Sequence, residues 1–407
     1  MTGASGAVDE PSEIVDSSLG KFVAPEPDDV VVQSLMKAFG YTEDEAIEDV
    51  RRTQFANSLF DSPEMAHLSE AIGGLWIDRK DGMTVRVAVT TDEAEKLLGG
   101  LGLPDWVVVS RVRFSRMDLR DWSMIISEEL RRQRKDDENF RVSLDDEHNR
   151  LMVRANSDHL MEVAREIQAK LGQTDEAPEV LVSRLQGEGF RNVSCPIDCG
   201  NVGYISAGMH ISRPGAGDIC TTGFSFVKDG VRRSSTAGHC GSGAWKNGPS
   251  INSQGTGPTI ADSLAGFVIV AHRADYQLLE PRPGRTPDND VWHQGGWRDV
   301  VTKVVNPNNF SVGTWICRFG SKTHIDTNGN GTGCGALMAV FESSGYEWDY
   351  GVIGVSSKGG DSGGPVYELY GSGARALGLT RGTTDWESSF SWVPIIENYS
   401  QSSLITS

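Results

Sequence analysis

Gly360-Asp361-Ser362-Gly363-Gly364-Pro365 sets a single hydroxyl among glycines, in a stretch that can be neither regular helix nor regular strand. Glycine lets a backbone take positive φ and come close to a bound partner, and Pro365 stiffens the exit. A serine displayed this way can have its own N–H and that of Gly360 aimed at one point beside its Oγ. Acyl transfer requires that arrangement, a nucleophile beside two donors for a developing oxyanion. A serine alone is a weak nucleophile, so the stretch predicts a histidine base and a carboxylate behind it. Gly-Ser-Gly runs are usually plain turns, and the stretch needs its second half to mean more.

That second half is Thr236-Ala237-Gly238-His239-Cys240. Together the two segments resemble the chymotrypsin-like serine proteases, in which a TA(A/G)HC segment carries the base and GDSGGP the nucleophile. The resemblance implies a mainly β catalytic domain of two six-stranded antiparallel barrels over residues 203–407. It also implies a peptide-hydrolysing activity without cofactor or metal. The text after Val202 agrees, reading as short strands between Gly-rich turns. Gly203-Tyr204-Ile205-Ser206-Ala207-Gly208 is similar to the first barrel strand of that family.

The family places its carboxylate between the histidine and the serine, opening a short apolar strand. Asp275-Tyr276-Gln277-Leu278-Leu279 matches best, and Asp275 there can be buried against the imidazole. Asp262, Asp288 and Asp290 compete, but read as solvated residues of polar loops. The expected oxyanion donors are Gly360 and Ser362. Leu377-Gly378-Leu379-Thr380-Arg381-Gly382 resembles the substrate-binding strand, with Thr380, Arg381 and Gly382 offering their backbone to an extended peptide. Arg381 could attract acidic substrate groups, although an exposed surface charge is the more ordinary reading.

Composition divides the chain. Of a net charge of −18, residues 1–190 carry −16 and residues 191–407 only −2. The acidic first half argues against nucleic acid or anionic membrane as partner. Nowhere do 18 apolar residues run together, so no spanning helix is expected. All six cysteines lie in the second half, at 195, 199, 220, 240, 317 and 334, which suggests disulfides and an oxidising, extracellular setting. No metal-ligand spacing accompanies them. A Cys220–Cys240 bridge would close a loop beside His239, Cys317 and Cys334 flank the turn at Asn328-Gly329-Asn330-Gly331, and both pairings match the streptogrisin pattern. Cys195 and Cys199, with three residues between them, are expected to bridge each other, the alternative being that one pairs elsewhere. Relatives often carry a cysteine just before the nucleophile, where this chain has Ser356-Ser357-Lys358-Gly359. Met1 to Gly6 lacks the basic and apolar regions of a signal peptide.

In the first half, residues 1–29 read as a mobile acidic arm. Val31, Leu35, Met36 and Phe39 mark a short helix ended by Gly40, and Thr42 to Glu45 caps a second helix reaching Leu59. From Leu75 the order is strand, strand, helix, hairpin, helix, strand, an α+β pattern in which residues 116–135 turn Leu119, Trp122, Ile126 and Leu130 inward. His67, His148 and His159 sit on polar or turn segments and read as solvated. Leu75-Trp76-Ile77-Asp78 and Arg150-Leu151-Met152-Val153 look like the pro-regions of α-lytic protease and the streptogrisins. By that resemblance residues 30–186 form an α+β pro-region that assists folding and then inhibits as an intramolecular partner. Residues 187–202 would be a linker holding the processing site. A binding protein without activity, or an esterase, are the alternatives. An intact triad argues against the first, and the His-before-Ser order argues against a lipase-type site.

Overall fold

The computed structural model describes residues 30–59, 67–135, 138–172, 177–184, 203–213, 219–247, 257–271, 274–293, 296–327, 331–344, 349–370 and 373–407. The acidic arm, the 187–202 linker, Cys195, Cys199 and the 328–330 turn lie outside them. The described chain is mainly β, with its long helices in the N-terminal half.

The first helices form where their caps and apolar spacing predict. Val30–Phe39 stops at Gly40, whose φ of 72° a β-carbon would strain. Glu43–Leu59 starts beneath a reciprocal cap, in which Thr42 N–H donates to Glu45 and Glu45 N–H donates to Thr42 Oγ1. Strands Ile72–Asp78, Thr84–Val89 and Val107–Arg111 make a three-stranded sheet. Between the last two runs a helix the pattern reading missed, Asp92–Gly100, capped by Thr91. Its apolar face is narrow, only Ala94 and Leu98 being buried, so periodicity carried little signal there. Helix Arg116–Gln133 buries Leu119, Ile126 and Leu130, with Trp122 half-buried. It lies with helix Asp158–Leu171 over strands Phe140–Asp145, Arg150–Ala155 and Val180–Arg184.

After residue 203 strands dominate. They lie in an eight-stranded sheet and a twelve-stranded sheet. Three of the twelve strands come from the N-terminal half. Strand Phe140–Asp145 pairs antiparallel with Thr332–Ser344, setting Arg141 opposite Ser344 and Ser143 opposite Glu342. One apolar core therefore draws on both halves, with Leu119, Ile126, Phe140 and Val142 against Phe341, Val340 and Trp392. Val31, Val32 and Leu35 of the first helix enter a second core with Leu369 and Ala374.

Buried polar contacts tie the halves as well. Arg116, fully buried, donates to Asp146 at 2.9 Å and to the carbonyl of Phe310 at 2.8 Å. Arg120 grips Asp349 with two bonds of 2.8 and 2.6 Å. Arg154 reaches the buried Glu342 at 2.7 Å, and Arg141 reaches Glu387. Asn57 donates to Glu368 at 3.0 Å. No helix among the described residues is long and apolar enough to cross a membrane.

Candidate active site

Three segments converge between the two sheets. Strand Val231–Thr236 ends in the buried Ala237, and a single 3₁₀ turn, Gly238–Cys240, then turns His239 toward the cleft. Cys240 is bonded to Cys220, and this crosslink tethers the turn to strand Ile219–Thr221, contributing about 2–4 kcal/mol by restricting the unfolded chain. Cys317 and Cys334 are likewise paired, across two adjacent strands. Asp275 is the second residue of strand Ala274–Pro281. Ser362 lies in the turn before strand Pro365–Tyr370.

The structure brings His239, Asp275 and Ser362 into one line. The His239 backbone N–H donates to Asp275 Oδ1 at 2.9 Å, and Nδ1–H donates to Oδ2 at 2.5 Å. With Nδ1 carrying the proton, Nε2 accepts from the Ser362 hydroxyl at 2.9 Å. Asp275 is almost wholly buried, and its own N–H donates to Ser391 Oγ at 2.9 Å. Burial acts to raise its pKa, but the charge and hydrogen bonds of His239 and the charge of Arg381 win, holding it below the ordinary carboxylate value. An ionised acceptor at that place fixes the imidazole tautomer and favours positive charge on the ring.

The serine turn is held from several sides. Asp361, Gly363 and Gly364 N–H donate to the carbonyls of Lys358, Thr380 and Asp361. Among the described residues the Gly360 and Ser362 N–H groups donate to no backbone carbonyl. Gly360 has φ 109° and Gly363 φ 83°. At Gly363 a β-carbon would also lie 2.1 Å from Thr236 Oγ1, so the turn admits glycine alone. Asp361 points away from the cleft into a fully buried pairing with Arg318 at 3.0 Å, also accepting from the N–H groups of Thr323 and Lys358. Sequence reading passed over Arg318. Its signal was a lone cation in the apolar strand Trp315–Phe319.

Other expectations change. Thr380 N–H donates to Gly364, and its C=O accepts from Gly363. Arg381 is not an exposed surface charge: 3% of it is accessible, and its guanidinium lies 5.1 Å from the centre of the Tyr350 ring. Gly382 pairs with Ser389 in the neighbouring strand. Asp262, Asp288 and Asp290 are strand residues rather than loop residues, lying in Thr259–Ala271 and Thr286–His293. Asp288 accepts from Ser206 Oγ at 2.7 Å. Burial and the neighbouring Asp288 and Asp299 push Asp290 up to about 6. His148 and His159 pair with Asp145 and Glu138. Among the described residues no three His, Cys, Asp or Glu side chains are arranged to hold a metal ion.

No family model matches the chain, and no curated protein does. Solved structures to which it is similar are bacterial chymotrypsin-like serine proteases, at low identity and over half its length. Protease A of Thermobifida fusca is 21% identical, over 50% of this chain and 100% of its own, with a TM-score of 0.38. The chymotrypsin of Cellulomonas bogoriensis is 23% identical, over 50% and 100%, with a TM-score of 0.37. A glutamic-acid-specific serine protease that uses a histidine triad in substrate binding is 20% identical, over 49% and 100%, with a TM-score of 0.38.

Proposed function

We propose that this chain is the precursor of a secreted serine endopeptidase whose catalytic domain, residues 203–407, has the two-barrel chymotrypsin-like architecture. The observation that carries the reading is the His239 imidazole, bonded to Asp275 on one nitrogen and to the Ser362 hydroxyl on the other.

In this mechanism a peptide carbonyl lies beside Ser362 Oγ. His239 Nε2 takes the hydroxyl proton as Oγ attacks the carbonyl carbon. The tetrahedral oxyanion is held by the N–H groups of Gly360 and Ser362, and Asp275 stabilises the imidazolium. His239 then gives its proton to the leaving amine. A water molecule, deprotonated by His239, hydrolyses the acyl-enzyme and restores the serine. The substrate is a polypeptide in extended form.

The N-terminal half acts as an intramolecular inhibitor and folding partner. In support, strand Phe140–Asp145 continues the second sheet, and Arg116, Arg120, Arg141 and Arg154 each bond to residues beyond 300. Assistance to folding follows from the shared core, since without strand Phe140–Asp145 the Glu342–Ser344 end of strand Thr332–Ser344 loses that pairing and the core loses its N-terminal residues. Two disulfides fit an extracellular location.

Intact-mass measurement on the parent chain and on Ser362→Ala tests the reading. Cleavage between about 186 and 203 in the parent alone is expected. Equal cleavage of both, or full peptidase activity in Ser362→Ala, overturns it.

A further inference from the structure

Two charged side chains act on the Asp275 carboxylate, and only His239 belongs to the proposed proton relay. The other, Arg381, is almost wholly buried on strand Gly373–Thr383. It follows Thr380, whose backbone bonds Gly363 and Gly364 on either side of the serine turn. The adjacent strand Ser388–Trp392 pairs Phe390 with Thr380 and Ser389 with Gly382, and its register slips between those pairs, where Arg381 falls. The same strand supplies Ser391, which accepts the Asp275 N–H and pairs with Tyr350. Tyr350 lies under the guanidinium, and its hydroxyl donates to Glu342 at 3.1 Å. Glu342 is in turn engaged by Arg154 and, at 3.5 Å, by Arg141.

We propose that Arg381 is a positioning residue whose fixed charge tunes the Asp275–His239 pair, keeping Asp275 ionised and lowering the affinity of His239 for a proton. The proposal rests on the endopeptidase reading for its meaning in catalysis. A guanidinium stays charged throughout the working pH range, and charge interactions are weakly screened at buried sites. An ionised Asp275 by itself draws a proton onto His239; a cation beside Asp275 offsets part of that pull. The base therefore remains neutral, and able to accept from Ser362, at a lower pH than the pair alone would permit. Tyr350 gives the cation an aromatic face to lie on, which lessens the cost of its burial.

The test uses the full chain carrying Ser362→Ala, so that it stays intact, with His239 followed by NMR titration. Replacing Arg381 by Met is expected to raise the His239 midpoint by roughly one pH unit, the usual scale for losing a nearby charge. Arg381→Lys, which keeps the charge, should leave the midpoint near the parent value. In the active chain the acid limb of kcat/KM should move up by the same amount for Arg381→Met. An unchanged midpoint in a folded Arg381→Met chain overturns the proposal, as would a Lys variant that shifts as far as Met. If Met fails to fold, Arg381→Gln serves as the neutral variant under the same criteria. A shifted midpoint in a chain that never shows Ser362-dependent turnover sinks the endopeptidase reading and leaves the electrostatic role standing.

Discussion

Arg318 and Asp361 form a fully buried ion pair, with Arg318 Nη1 3.0 Å from Asp361 Oδ2. The pair lies one residue before Ser362 and sets the conformation of its turn. Gly320 makes room for it, since a β-carbon there would lie 2.0 Å from the Asp361 carboxyl carbon. Breaking such a pair leaves one charge buried and uncompensated. Arg318→Met should cost roughly 3–5 kcal/mol. Urea unfolding of the Ser362→Ala chain with and without the change measures it. A loss no larger than an exposed-site substitution would remove this pair as the organiser of the turn.

Gly363→Ala adds a methyl group at a backbone φ of 83° and into contact with Thr236 Oγ1. The strained conformation alone costs on the order of 1–3 kcal/mol, and the overlap adds to it. Turnover should fall sharply, because relief of the clash moves Ser362 away from His239. Labelling by a serine-directed phosphonate reads the effect, and labelling at the parent rate would contradict it.

Asp275→Asn keeps the shape and changes the hydrogen-bond polarity toward His239 Nδ1. Loss of the correct tautomer should lower kcat roughly ten-thousand-fold with the fold retained. Peptide hydrolysis and circular dichroism, taken together, separate this outcome from simple unfolding.

Arg120→Ala should loosen the hold of the N-terminal half, because Asp349 is left buried without its bidentate partner. After cleavage, the affinity of residues 30–186 for the catalytic half should drop by about 2 kcal/mol or more, roughly thirtyfold. Calorimetric titration with halves separated after folding together and cleavage gives the number, and an unchanged affinity would show that this contact adds nothing to docking.

His210 makes stability depend on pH. It is fully buried, neither ring nitrogen has a hydrogen-bond partner among the described residues, and burial lowers its pKa to about 4. Because the folded value lies below the free value of 6.5, the unfolded chain binds more protons between the two. Its contribution is therefore full above pH 6.5 and falls as the pH drops toward 4, by about 3 kcal/mol in all. His210→Leu should flatten the fall in stability of the Ser362→Ala chain across that window. An equally steep fall in the variant would assign the effect elsewhere.

Local chemistry was the legible part of this chain. The helix end at Gly40 and the cap at Thr42 could be read because each depends on residues within one turn. Asp92–Gly100 escaped because a short helix with two buried residues leaves almost no periodic trace. Asp288 and Asp290 were misread as loop residues because polar side chains on a strand look like a loop when their partners are unknown.

The sequence by itself pointed to Ser362 and His239, because the two segments that carry them reinforce each other, and it offered Asp275 among several aspartates. Only the tertiary structure decided what surrounds them. Ser391 reaches Asp275 across 116 residues, Arg318 reaches Asp361 across 43, and Arg381 turns inward where a strand register slips. Such contacts depend on how sheets close on one another, and burial then sets the strength of every charge among them. Neither quantity is written in the neighbours of any one residue.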